Sequence, residues 1–153
     1  MTRFEVITKL KNYFNIKELV SKQVYDKYGE LAWSFFSIEI LETLLILRED
    51  IFKCPIIINN WHIGGSFQQR GLRSNKEPMV IEKTGLYCSS HCLGQGFDFH
   101  TNRHSANTMR NIIRRNSHLL PHPIRLEDDK SAPTWCHIDV CNITEDKVVE
   151  FSA

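Results

Sequence analysis

The chain has 153 residues, a common length for a single domain, and 42% of them are hydrophobic, which is enough to build a sizeable core. Its formal net charge is only +1, which excludes the strongly basic surface expected of a nucleic-acid-binding protein. No apolar stretch is long enough to span a bilayer, so no membrane insertion is expected.

The cysteines and the N-terminal segment indicate the compartment. The chain has five cysteines, an odd number, and its first residues carry scattered charges instead of the apolar region of a signal peptide. This combination favours free thiols in a reducing environment. We therefore expect synthesis in a cytoplasm, with delivery by another component if the substrate lies outside.

The first half of the chain predicts helices followed by an irregular region. Residues 17–29 predict a short helix, and residues 37–52 predict a stronger one that is capped by Ser37. Residues 56–60 predict a buried strand. Residues 62–87 predict a long irregular segment, and such a segment in a compact domain is usually functional.

The second half predicts one helix and a hairpin. We expect a helix over residues 105–116, with Ser105 as its N-cap, and strands over residues 123–127 and 134–141 that are joined by an acidic turn. The last dozen residues predict a short edge strand. This order predicts a single α+β domain over residues 1–153, with a small antiparallel sheet and helices.

Two short segments carry the residue types that hold catalytic metal ions. His91 and Asp98 lie seven residues apart, and Gly94 and Gly96 between them let the chain turn tightly. His137 would join them from a strand far along the sequence. Catalytic zinc typically takes three nitrogen or oxygen ligands and keeps one position for water, so these residues predict a zinc site.

The segments also form longer motifs, which are Ser90-x-His91-x-x-Gly94-x-Gly96-x-Asp98, Trp135-x-His137-x-Asp139, Asn59-Asn60-Trp61-His62-x-Gly64-Gly65-Ser66-x-x-x-Arg70-Gly71-Leu72-Arg73 and Pro123-Ile124-Arg125-Leu126-Glu127. They resemble the zinc D-Ala-D-Ala carboxypeptidase family, which shares its fold with the hedgehog signalling domain and includes many phage lysis peptidases. The resemblance extends from about residue 14 to residue 141, and its motifs lie within about residues 55–141. It implies that His91, Asp98 and His137 bind Zn²⁺. Ser90 and Asp139 would support these ligands, Asp139 by accepting a ring N–H.

A sulfur site is the alternative for the same region. Cys88, His91 and Cys92, together with Cys136 and His137, have residue types and spacings found in structural zinc sites. This alternative leaves the carboxylate and the glycines unexplained. It also requires two adjacent strand residues, which point to opposite faces, to bind one ion.

The catalytic base is the main departure from the resembled family. An acidic residue often stands three positions before the last histidine in that family, and here Thr134 occupies this position and cannot accept a proton. Glu127 is the best replacement, because a hairpin turn over residues 128–133 would place it across from Thr134. Asp139 is a weaker candidate. If no base reaches the metal, the protein is inactive.

Two arginines are candidates for gripping the substrate. The stem peptides of peptidoglycan carry carboxylates, and arginine binds carboxylates with a bidentate fork. The resemblance implies that either Arg70 or Arg73 contacts the substrate. The residues alone leave open whether each is only a surface charge.

These predictions combine into one expected function. We expect a zinc metallopeptidase that cleaves peptidoglycan stem or cross-link peptides, as a phage endolysin or virion-associated lysin, and acts at the bacterial cell wall as a monomer. The alternative is a non-enzymatic virion or binding protein that retains the peptidase fold.

Overall fold

A computed structural model describes residues 1–153 and shows helices around a four-stranded mixed sheet, which confirms the α+β prediction. The helices are α1 (Arg3–Leu10), α2 (Ile16–Leu19), α3 (Lys22–Tyr28), α4 (Ile38–Ile46), α5 (Pro78–Ile81) and α6 (Ala106–Arg115). The strands are β1 (Gly96–Phe99), β2 (Ile124–Glu127), β3 (Cys136–Asp139) and β4 (Val148–Phe151). Short 3-10 segments occur at Gly29–Phe35, Trp61–Ile63 and Ser117–Leu119, and a π-helical turn at Leu47–Ile51 extends α4.

The strand order is β1-β3-β2-β4, with β3 antiparallel to both of its neighbours. The last strand pairs with β2 in parallel, so the expectation of a purely antiparallel sheet is wrong at this edge. The reason is that residues 140–147 run back to the start of β2 instead of turning tightly. The side chain of Asn142 holds this return by donating to the carbonyls of Ile124 and Asp146.

The predicted helix over residues 17–29 is interrupted. Val20 is extended, and Ser21 starts α3 by accepting a hydrogen bond from the amide of Val24. Serine at such a position caps a helix instead of continuing one. The N-terminal helix α1 was not predicted from the sequence.

The predicted strand over residues 56–60 is wrong. Ile57 forms only an isolated antiparallel bridge to His100, outside the main sheet. The side chain of Asn59 accepts a hydrogen bond from the Arg70 amide at 2.9 Å, and so fixes the irregular segment that follows. Ile56 and Ile58 are buried, but burial alone did not produce strand pairing.

The remaining predicted elements are confirmed. Ser37 and Ser105 cap α4 and α6 by accepting from the backbone amides three residues later. Residues 62–87 are irregular apart from α5 and the end of a 3-10 turn. The apolar side chains on one face of the sheet and those of the helices form a single hydrophobic cluster. No helix has the length and apolar character needed to cross a membrane.

Candidate metal centre

The three predicted ligands lie together on one face of the sheet. Asp98 on β1 pairs directly with His137 on β3, and His91 belongs to the turn before β1. Their ligand atoms all lie within 4.8 Å of one another, and no other group of three such side chains in the chain is this close. The histidines are buried and Asp98 is partly buried. This group could therefore hold a metal ion.

The distances within the group fit a small divalent cation. Oδ1 of Asp98 lies 2.7 Å from Nδ1 of His137, and Nε2 of His91 lies 3.2 Å from the same nitrogen. Oδ2 of Asp98 lies 3.3 Å from Nε2 of His91. Two ligands of tetrahedral zinc, each bonded at 2.0–2.1 Å, lie roughly 3.3 Å apart. Of the three distances, only the shortest, between Oδ1 of Asp98 and Nδ1 of His137, would have to lengthen, by about half an ångström.

A hydrogen bond on the far nitrogen orients each histidine ring. The Gly71 carbonyl lies 2.9 Å from Nδ1 of His91, which places the proton there and leaves Nε2 for a metal. Oδ2 of Asp139 lies 3.2 Å from Nε2 of His137, which leaves Nδ1 free in the same way. Oγ of Ser90 is 3.5 Å from that Nε2, at the limit of a hydrogen bond.

Asp139 is itself held by a residue that sequence reasoning missed. Nε and Nη2 of Arg125 donate to its two oxygens at 2.8 and 2.7 Å, and the Cys141 amide donates at 3.0 Å. The Arg125 guanidinium lies 4.5 Å from the centre of the Phe151 ring. Alternation along β2 was the available signal, because Arg125 lies two residues before Glu127 and so shares its face.

The charges of the group shift its pKa values in opposite directions. Burial raises the pKa of Asp98, but the charges and hydrogen bonds of His91 and His137 outweigh this and lower it. Burial lowers the pKa of His137, but the bonds to Asp139 and Asp98 raise it to about 9. Burial also lowers the pKa of His91. A cation would replace the proton on His137, so metal binding would release it.

Glu127 lines a cleft of about 310 Å³ that contains all three ligands. The expectation that it lies across from Thr134 is wrong. Leu126 pairs with Ile138, so the next residues along the two strands are Glu127 and His137. Thr134 lies in the connecting segment before β3, where it is exposed and outside the cleft. The acid is therefore nearer to the last histidine than expected.

Burial raises the pKa of Glu127, and the charge of Asp98 raises it further against the opposing charges of His137 and Arg110. The backbone carbonyl of Glu127 accepts a hydrogen bond from Arg110 at 2.8 Å. Its carboxylate has no hydrogen-bond partner within the protein. A carboxyl group with a raised pKa, facing a metal group, has the properties of a general base.

The two candidate arginines differ in their partners. Nη2 of Arg73 lies 3.2 Å from Oδ2 of Asp98, and its Nε donates to the Gln69 carbonyl. Arg73 also lines the cleft with the ligands. Its charge is therefore already engaged by the ligand carboxylate.

Arg70 has no carboxylate partner. Its guanidinium lies 3.6 Å from the centre of the Phe67 ring, and its Nη1 donates to Nδ1 of His100 at 2.8 Å. It lines a second cleft of about 260 Å³, which shares Arg73 and Asp98 with the first cleft. Arg70 thus offers a cation without an acidic partner beside the His–Asp–His group.

The cysteines do not assemble into a metal site. Cys136 is 0% exposed on the opposite face of the sheet, where burial raises its pKa to about 12. Cys88 is exposed at the rim of the cleft, and Cys92 lines a different surface depression. The sulfur alternative therefore lacks its ligand geometry.

The two glycines act differently from each other. Gly94 has φ of +66°, and a Cβ there would lie 2.2 Å from the Phe35 carbonyl oxygen, so it makes the expected turn. Gly96 belongs to β1 instead. A Cβ on Gly96 would lie 2.5 Å from Oγ of Ser90, so this glycine makes room for the serine.

No family model, curated protein or solved structure matches the chain. The family resemblance based on the sequence motifs thus stays a prediction. The structure is a compact α+β domain with a buried His–Asp–His group that could hold a metal ion.

Proposed function

We propose that the protein is a zinc-dependent peptidase that cleaves stem or cross-link peptides of peptidoglycan, as a phage endolysin or virion-associated lysin. The observation that carries this proposal is the three-residue group His91, Asp98 and His137 in one cleft with Glu127. Zinc, when bound, would polarise a peptide carbonyl and lower the pKa of water. Three protein ligands and an open fourth position are typical of catalytic zinc.

Glu127 is the proposed general base. Its raised pKa brings proton uptake closer to neutral pH, where a base is most effective. It would take a proton from the attacking water and deliver it to the leaving amine. Asp139 and Arg125 would act indirectly, by holding the His137 ring in place.

Arg70 is the stronger candidate for binding a carboxylate of the stem peptide. Its guanidinium has no acidic partner, whereas Arg73 is paired with Asp98. Arg73 would then mainly hold the ligand carboxylate in position. An Arg70→Lys change would replace a planar fork with a single ammonium and weaken substrate binding.

The proposed place of action is the bacterial cell wall. After synthesis in the host cytoplasm, the protein would reach the wall either by release from the cell or as part of a phage particle. The second candidate is a non-enzymatic virion or binding protein with the same fold. Thr134 favours this candidate, because it stands where an acidic residue is expected and cannot accept a proton. The presence of Glu127 in the cleft favours the enzyme.

Mass spectrometry of purified muropeptides tests the proposal. The zinc-loaded protein should convert them to products whose masses identify the bond that is cut, and chelation of zinc should stop the reaction. Glu145→Gln, at an exposed site, is a matched control for Glu127→Gln. Zinc-loaded protein that leaves every muropeptide intact would favour the non-enzymatic candidate.

A further inference from the structure

Arg110 is a charged residue in an apolar position. It belongs to α6 between the buried Met109 and Ile113, and its side chain is only 1% exposed. A buried cation is normally paired with a carboxylate, because removing an unpaired charge from water is costly. All the hydrogen-bond acceptors of Arg110 are instead uncharged oxygens.

These acceptors belong almost entirely to one segment. Nε donates to the Glu127 carbonyl at 2.8 Å, and Nη2 donates to the Trp135 carbonyl at the same distance. Nη2 also reaches the carbonyls of Asp128, at 3.3 Å, and Ala132. One guanidinium therefore joins both ends and the middle of the connection between β2 and β3.

Both ends of this connection reach the cleft. Glu127 and Trp135 line it together with His137. The Glu127 carboxylate has no hydrogen bond of its own, so its position depends on the backbone that carries it. That backbone is held by the pairing of Glu127 with Phe151 of β4, by the Asp128 amide, which donates to the Phe151 carbonyl, and by Arg110.

We infer that Arg110 is a positioning residue, which acts through the backbone carbonyls of the β2–β3 connection to hold the base Glu127 at the metal cleft. This inference rests on the proposed function. A planar group with five donors can bind several carbonyls in one plane, and lysine cannot reproduce this geometry. Of the metal ligands, His91 and Asp98 lie outside this connection, and His137 is held by the direct pairing of β3 with β1.

The test compares Arg110→Lys with Arg114→Lys, a change one turn later on the same helix at an exposed pair with Glu150. Arg110→Lys should lower kcat for muropeptide hydrolysis by roughly 100-fold, since a misplacement of about 1 Å can cost this much. KM and zinc content should change little, and Arg114→Lys should behave like wild type. An unchanged kcat in Arg110→Lys overturns the inference.

A double variant separates positioning from general destabilisation. If Arg110 acts through Glu127, then Glu127→Gln with Arg110→Lys should be no slower than Glu127→Gln alone. Losses that multiply would overturn the inference. Asn107→Ala, at an exposed site, removes one acceptor that orients the guanidinium and leaves the arginine in place. It should lower kcat by roughly 2-fold to 10-fold, the equivalent of one hydrogen bond, even if Arg110→Lys does not fold.

Hydrogen exchange provides a readout that does not need catalysis. Backbone amides of residues 128–135 should exchange faster in Arg110→Lys than in wild type or Arg114→Lys. Equal exchange would show that Arg110 does not hold the connection. A wild-type protein without hydrolysis would instead refute the proposed function, whatever the exchange result.

Discussion

The two faces of the sheet share a backbone but differ in almost every other property. One face carries Phe97, Phe99, Leu126 and Ile138, all 0% exposed within the hydrophobic core. The other face carries, on the same strands, the side chains of Asp98, Arg125, Glu127, His137 and Asp139. Because successive residues of a strand point to opposite faces, one short strand supplies apolar side chains to the core and polar side chains to the cleft.

The energetics of the two faces also differ. Burial of apolar side chains stabilises the fold by about 25 cal/mol for each square ångström removed from water. Burial of carboxylates and histidines costs free energy unless the charges are paired, and here every carboxylate among the ligands and their supports is paired. A metal ion that binds the ligand group only in the folded state should add to the stability of the polar face, whereas the apolar face needs no ligand.

The largest effect is expected from His137→Ala. This change removes a ligand that touches both other ligands, so the bound zinc should fall from about one per chain to near zero and hydrolysis should stop. Zinc should raise the unfolding temperature of wild type but not of the variant. Metal analysis and thermal unfolding measure both. Full zinc retention in both His91→Ala and His137→Ala would contradict the assignment.

Glu127→Gln should separate chemistry from binding on the same face. Loss of a general base costs roughly 100-fold to 10,000-fold in rate, while the fold and the zinc content should stay unchanged. Steady-state kinetics with muropeptides, beside metal analysis, measure this. Full activity of Glu127→Gln would mean that another group accepts the proton.

Ile138→Ala probes the apolar face between two ligand-face residues. Ile138 is 0% exposed, so the change should lower the free energy of unfolding by about 2–5 kcal/mol. The folded fraction should still bind zinc, because the side chain points away from the ligands. Ile143→Ala, at a 98% exposed site, is the matched control in denaturant unfolding. An equal loss in both variants would undermine the contrast between the faces.

Asp139→Asn should have an intermediate effect. Asp139 orients His137 and is not itself in the ligand group, so its loss should weaken metal affinity by roughly 10-fold to 100-fold without abolishing binding. Competition with a chelator measures the affinity, and the exposed Asp146→Asn is the control. Complete loss of metal would indicate that Asp139 is itself a metal ligand.

The smallest effect is expected from the cysteines. A variant with Cys88→Ser, Cys92→Ser and Cys136→Ala should keep its zinc content, because none of these thiols belongs to the ligand group. Metal analysis of the folded variant decides this. Zinc loss with the fold retained would restore the sulfur alternative.

Local patterns predicted the parts of the molecule that depend on local physics. The N-caps Ser37 and Ser105 were identified because capping involves residues only three positions apart. The prediction that Glu127 lies across from Thr134 was wrong, because strand register depends on where the partner strand begins. The burial of Arg110 was not predicted, because no local pattern indicates that distant carbonyls would surround it.

The pairing of β1 with β3 has a consequence for folding kinetics. It joins residues 96–99 to residues 136–139, and contacts between such distant segments form slowly. His91 and Asp98 are close in sequence, but His137 joins them only when the sheet closes. Capture of an ion by all three ligands would therefore mark a late event, and the ion should act mainly by slowing unfolding.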